Sequence, residues 1–302
     1  MGQTKEMGIA NYETLNYTQL LYRGELYATS LSVANTDVNE TGFTPSESLM
    51  RIGLFDLNNR EVLYAKDIHT SLYPASTTKI VTALVALEYG NLEDVVTISK
   101  SAAAASFAWN EQVCGLIEGE QVTLFDLLNG LILHSGNDTS VAIAEHISGN
   151  VPDFCELMNQ KAKEIFATRT NYVNPHGLHD DDQYTTVYDL YLIFNEAINN
   201  ETFMKIIENP SYTMTLTASN GTRREIKCDA TNYYAFNKVT RPTAATVIGG
   251  KTGTTNEAGS CVVLYSLDPE GNPYISVVMN ASSRAVLYND MTNLINSIST
   301  IE

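Results

Sequence analysis

Apolar residues recur in two rhythms along the chain, and the change of rhythm divides it. Residues 12–35 read as a helix or a loosely packed lead, so 1–36 is expected as a lead segment and 37–302 as the folded unit. After a polar stretch at 36–48, Arg51-Ile-Gly-Leu-Phe-Asp-Leu57 and Glu61-Val-Leu-Tyr64 read as strands around an Asn58-Asn59 turn. Ile80, Leu84 and Leu87 fall on one face of a helix over 76–90, with Gly90 placed to end it. Residues 95–210 are mostly helical in pattern, most clearly at 122–134, 138–148, 153–167 and 186–199. Gly149 is placed to stop the second of these, and Pro152 prevents simple continuation. From 211 strands return: Tyr212–Thr217, Val247–Thr254, Ser260–Leu267 and Tyr274–Met279, separated by turn residues at Asn220-Gly221, Asn256 to Gly259 and Pro269 to Pro273. A last helix covers 284–300. Strands at both ends of a helical block predict an α+β fold: an antiparallel sheet flanked by helices, with an all-helical insertion at about 95–210.

Composition narrows the function classes. The 302 residues carry 18 basic and 35 acidic side chains, a formal net charge of −17. That argues against sequence-independent nucleic-acid binding, which needs cations to displace phosphate counterions, and against docking on anionic lipid. No apolar run approaches the roughly 20 residues of a membrane span. The first residues lack the apolar core of a signal peptide, so the chain is expected to be cytoplasmic or a processed form. Cys114, Cys155, Cys228 and Cys261 include no C-x-x-C pair, which weakens a zinc or redox reading. Three full pairings, and free thiols, all remain open.

Three short motifs carry candidate chemistry. Ser76-Thr77-Thr78-Lys79 opens a predicted helix, where positions i and i+3 share a face. A serine hydroxyl needs a base to take its proton, and a lysine serves if burial or nearby positive charge lowers its pKa. About one Ser-x-x-Lys is expected by chance in such a chain, so the motif alone means little. Ser135-Gly136-Asn137 offers a hydroxyl and an amide on one turn, although Asn137 or Asp138 could equally cap the next helix. A second copy, Ser148-Gly149-Asn150, is explained by Gly149 as a helix stop. Lys251-Thr252-Gly253, followed by Thr254, lies on a glycine-rich strand that suits an extended peptide and a carboxylate. The alternative for it is a surface hairpin with a solvated lysine. The order and context of the three motifs carry the weight: a helix start, a turn in the helical block, a late strand.

With these segments the chain resembles the D-alanyl-D-alanine carboxypeptidases, low-molecular-mass penicillin-binding proteins. The likeness rests on Tyr73-Pro-Ala-Ser-Thr-Thr-Lys-Ile80, His134-Ser-Gly-Asn-Asp138 with Ala144-Glu-His146, Asn174-Pro-His-Gly-Leu-His179, Tyr188-Asp-Leu190, Gly249-Gly-Lys-Thr-Gly-Thr254 and Ala258-Gly-Ser-Cys261. It implies a β-lactamase/transpeptidase-like fold, with Ser76 as acylated nucleophile, Lys79 as its base and Ser135 as proton relay to the leaving amine. Asn137 would bind the substrate amide, and Lys251, Thr252, Gly253 and Thr254 the terminal carboxylate. The backbone N–H groups of Ser76 and Thr254 would form the oxyanion hole. Ser76 would displace the terminal D-alanine of a peptidoglycan stem peptide, and water would hydrolyse the acyl-enzyme. β-Lactams would acylate the same serine, and no metal or cofactor takes part. Such a substrate implies action outside the membrane, in the cell envelope. Many members continue into a β-rich domain and an amphipathic helix, for which only about 20 residues follow the last predicted strand here; membrane association stays open.

Rivals are weighed on the same residues. A class A β-lactamase has Ser-Asp-Asn at the second motif and a later loop glutamate that activates water. Gly136 and Asn171-Tyr-Val-Asn-Pro-His176 depart from both. A penicillin-binding sensor without turnover is disfavoured by intact motifs. His176, His179 and Asp180-Asp181-Asp182 invite a metal but fit a structured loop better. A triad of Ser135, His134 and Asp138 is discarded, because adjacent residues rarely reach that geometry. Trp109 and the tyrosines are expected in the core or the cleft wall. Lys79 and Lys251 are expected to make the cleft positive within an acidic surface.

Overall fold

The computed structural model describes residues 31–300. The expected lead at 12–35 falls mostly outside them. Of its described residues 31–35, Leu31 and Ser32 are buried, and Ser32 N donates to Tyr191 Oη at 3.0 Å.

A six-stranded antiparallel sheet forms the centre. Its order is β1 (Val38–Asn39), β3 (Glu61–Lys66), β2 (Arg51–Asp56), β10 (Pro273–Ala281), β9 (Gly259–Leu267) and β8 (Thr246–Thr255). Residues from the two ends of the chain therefore meet where β2 pairs with β10. The inner strands are apolar on both faces, which a sheet covered on both sides requires. Ile52, Leu54, Val262, Leu264 and Val278 pack with Leu287, Met291 and Leu294 of the closing helix. On the other face Phe55, Val263, Ile275 and Val277 pack with Tyr191, Ile193 and Phe194.

The helices are α1 (Lys79–Tyr89), α2 (Leu124–Asn129), α3 (Asn137–Ser148), α4 (Val151–Glu164), α5 (Val187–Ile198), α6 (Glu201–Glu208) and α7 (Arg284–Asn296). Gly149 ends α3 with φ +81°, as its position predicts, and Pro152 sits in the first turn of α4. Gly90 ends α1 in extended rather than left-handed backbone. The all-helical expectation for 95–210 needs correction. β4 (Val95–Thr97) and β5 (Gln121–Thr123) lie inside it, and with β6 (Ser211–Thr217) and β7 (Arg223–Asp229) they form a second antiparallel sheet. Three-residue strands are too short to show a period-2 pattern. β7 reads as charged surface because alternate residues face solvent. The helix expected over 122–134 also breaks: after α2 the chain widens into a single π turn over Gly130–His134.

Candidate active site

Ser76 stands in a 3-10 turn, Ala75–Thr78, that leads into α1. Ala75 holds φ +46°, a left-handed conformation rare for a residue with a Cβ. It persists because its surroundings fix it. Thr78 Oγ1 donates to Ala75 O at 2.8 Å, and Gly177 and Gly253 press against Ala75 from two sides. A Cβ on Gly253 would stand 2.9 Å from Ser76 N, so β8 reaches the nucleophile's backbone only as glycine.

Lys79 is fully buried, and its Nζ lies 3.0 Å from Ser76 Oγ, 2.8 Å from Asn137 Oδ1 and 2.6 Å from the His176 carbonyl oxygen. Burial, and next the charge of Lys251, hold its pKa well below the ordinary lysine range. Ser135 ends the π turn with φ +65°, another left-handed residue at the cleft. Its Oγ accepts from Lys251 Nζ at 2.9 Å. Lys251 is fully buried, and burial lowers its pKa to about 7.

The structure thus brings Lys79, Ser76 and Asn137 into one hydrogen-bonded group and Lys251 and Ser135 into a second. Thr252 Oγ1 is 2.6 Å from Thr231 Oγ1, and Thr254 is exposed at the mouth. Neither Asn137 nor Asp138 caps α3. Gly136 is the N-cap residue, and Asn137 instead faces Lys79. The Asp138 carboxylate accepts from the backbone N–H groups of Cys114, Gly115 and Leu116 at 2.8–3.0 Å and so anchors the loop beside the motif.

Gly136 has a local reason. A Cβ there would meet Cys114 Sγ and Asp138 Oδ1 at 2.7 Å and Thr139 Oγ1 at 2.9 Å. The aspartate that a class A β-lactamase carries at this position would require these three side chains to shift.

Some of what lines the cleft escaped the sequence. The open cleft of about 340 Å³ includes Ser76, Gln112, Ser135, Lys238, Thr254 and Arg284, with the stacked Tyr233 and Tyr288 in its wall. Arg284 Nη1 donates to Tyr233 Oη at 3.1 Å, and Lys238 Nζ lies over the same ring. Their only sequence signal was basic character near late elements. Lys79, expected to add positive charge to the cleft, is buried with its pKa lowered, which weighs against that charge. The charged side chains that line the cleft are Lys238, Arg284 and Asp229, and burial brings the Lys251 pKa down to about 7. The His176 carbonyl was equally invisible, because a backbone oxygen leaves no residue-type signal.

The residues of the metal reading do not converge. His176 Nδ1 accepts from Leu178 N, and burial lowers its pKa to about 3, while His179 pairs with Asp181. Among the described residues no group of three or more His, Cys, Asp or Glu is arranged to hold a metal ion. Tyr172, Tyr191 and Tyr234 are core residues as expected, but Trp109 is not: it is 97% exposed, in the loop that precedes Gln112.

Comparisons with known proteins bear on the family and the fold. A DacA D-alanyl-D-alanine carboxypeptidase of Haemophilus influenzae is 33% identical over 268 residues, 87% of this chain and 65% of its own length. A D-alanyl-D-alanine carboxypeptidase of Streptomyces sp. K15 is 28% identical over 84% of this chain and 91% of its own. A solved single-site variant of the Streptomyces K15 DD-transpeptidase superposes with TM-score 0.78 at 28% identity, covering 85% of this chain and all of its own. The chain spans just under two thirds of the Haemophilus relative. The family model described as D-alanyl-D-alanine carboxypeptidase matches residues 22–283, and with the fold and the three motifs in place the chain belongs to that family.

Proposed function

We propose that the chain is a serine D-Ala-D-Ala carboxypeptidase, with residues 37–302 as its catalytic unit. On this reading it acts outside the membrane on peptidoglycan stem peptides and binds β-lactams covalently. The observation that carries this reading is a fully buried lysine amine with a lowered pKa, 3.0 Å from the hydroxyl of Ser76. Two of its three partners, Asn137 Oδ1 and the His176 carbonyl, can only accept. A neutral Lys79 amine gives its two protons to them, and its lone pair then faces Ser76 Oγ. That arrangement is a base aimed at the nucleophile.

Ser76 Oγ attacks the carbonyl of the penultimate D-alanine, and its proton passes to Lys79. The N–H groups of Ser76 and Thr254 hold the developing oxyanion. The peptide C–N bond then breaks. The proton taken from Ser76 reaches the leaving nitrogen through Ser135, whose hydroxyl Lys251 polarises. Asn137 Oδ1 is committed to Lys79, which leaves its amide nitrogen for the substrate backbone. The departing D-alanine carboxylate lies against Lys251, Thr252, Gly253 and Thr254, and water releases the acyl-enzyme by the reverse sequence.

Two assays on the purified protein test the reading: D-alanine release from a Lys-D-Ala-D-Ala peptide, and turnover of a penicillin. The expected outcome is stoichiometric release of D-alanine, with penicillin forming a long-lived adduct on the peptide containing Ser76. Rapid repeated penicillin turnover without D-alanine release would make it a β-lactamase instead.

A further inference from the structure

Two thiols that the proposed chemistry does not use meet behind the second motif. Cys114 lies on the loop anchored by Asp138, and Cys228 on β7. Cys114 Sγ donates to the Gly130 carbonyl at 3.7 Å and Cys228 Sγ to the Ile226 carbonyl at 4.0 Å, and Cys228 is close enough to raise the Cys114 pKa. Both crowd Gly130, where a Cβ would stand 3.1 Å from Cys114 Sγ and 3.8 Å from Cys228 Sγ. Cys228 is fully buried, and Cys114 is half-buried as a residue with its thiol packed against Gly130 and Gly136. The other two cysteines differ. Cys155 is buried on α4, and Cys261 Sγ donates to the Ala258 carbonyl at 3.5 Å.

We infer that Cys114 and Cys228 are an oxidisable pair, a modification site that reacts with a small-molecule disulfide and closes to a Cys114–Cys228 bridge. The Cys114 thiolate attacks one sulfur of the small disulfide, that S–S bond breaks, and one small thiol leaves. Cys228 then attacks the Cys114 sulfur of the mixed disulfide and releases the second small thiol. Two protein thiols give up two electrons and two protons, and the small disulfide becomes two thiols. The neighbouring Cys228 thiol, and then burial, push the Cys114 thiol well above its ordinary pKa, so the exchange is slow at neutral pH and quickens as pH rises.

The bridge has a structural consequence at the cleft. Gln112, two residues before Cys114, and Asp229–Thr231, directly after Cys228, both line its wall. Cys114 Sγ also occupies the space over Gly136. Closing the pair fixes the loop to β7 beside Ser135-Gly136-Asn137, and it constrains the unfolded chain over a long loop.

The test is thiol counting and peptide mapping on the intact protein after exposure to oxidised glutathione at mildly alkaline pH. Neither readout depends on catalysis, so its failure is separable from failure of the proposed function. The expected result is a fall from four titratable thiols to two, loss of two hydrogens in intact mass, and one crosslinked peptide joining Cys114 to Cys228. The oxidised protein should melt several degrees higher than the reduced one. Cys228→Ser should instead retain a glutathione on Cys114 and form no bridge. Four thiols surviving conditions that oxidise a control dithiol, a bridge through Cys155 or Cys261, or a stable glutathione adduct on the wild-type Cys114 would each overturn the assignment.

Discussion

Lys79 and Lys251 are both fully buried, and the charge of the second lowers the pKa of the first. This sets a pH dependence with a definite sign. Acylation requires the neutral Lys79 amine, so its rate rises with pH and levels once that amine has lost its proton. Removing the Lys251 charge removes one cause of the lowering. Lys251→Gln therefore raises the Lys79 pKa, and the acid limb of penicillin acylation moves to higher pH; a limb that stays in place would show that burial alone sets it. Ser76→Ala should abolish labelling by a fluorescent penicillin. Lys79→Ala should keep reversible binding and lose about 10²–10⁴-fold in acylation rate. What the sequence made legible at this scale follows contact range. Ser76 and Lys79 are three residues apart on one helix, so their meeting is local. Lys251 with Ser135 needs the fold, and only the family likeness placed them together. Nothing in residue type announces that the His176 carbonyl holds Lys79, or that Cys114 fills the space over Gly136.

Elements meet at the site through glycines. Gly177 has φ +87°, and a Cβ there would stand 1.9 Å from the Ala75 carbonyl oxygen. The segment that offers the His176 carbonyl to Lys79 can therefore approach Ser76 only without a side chain. Gly177→Ala should cost about 1–3 kcal/mol of stability. It should also slow acylation, because the segment must retreat from Lys79; urea midpoints and labelling rates measure the two separately. Gly136→Asp makes the second motif look like that of a β-lactamase, but the site is filled by Cys114, Asp138 and Thr139. That variant should lose penicillin labelling rather than gain penicillin turnover. The long strands and the capped helices were readable because their patterns extend over many residues. β4 and β5 were not, since three residues paired to neighbours distant in sequence carry no rhythm of their own. β7 was missed for a different reason: its solvent-facing Arg223, Glu225 and Lys227 mask the strand, although the Asn220-Gly221 turn before it was plain.

Across the whole molecule, two fields of opposite sign act on an anionic substrate. The chain carries a net −17, while Lys238 and Arg284 line the cleft itself and Lys251 is buried against Ser135. The sequence gives the first field directly; the second needed the fold to gather late elements around β8. The net charge acts at range through water and is screened by salt, whereas Lys251 is buried and is screened far less. For a sphere of about 25 Å radius, the net charge opposes an anion at the surface by roughly 1.5 kcal/mol at 0.01 M salt. At 0.15 M that falls to roughly 0.7 kcal/mol. The difference corresponds to about fourfold in an equilibrium. Raising salt over this range should therefore increase kcat/KM for a D-Ala-D-Ala peptide several-fold, and penicillin acylation likewise. A fall with salt would mean that the exposed cations at the mouth outweigh the acidic surface. Lys238→Ala and Arg284→Ala then identify which of them does so, because each would flatten the salt dependence it causes. The same titration on a neutral acyl donor should show no slope, since neither field does work on it.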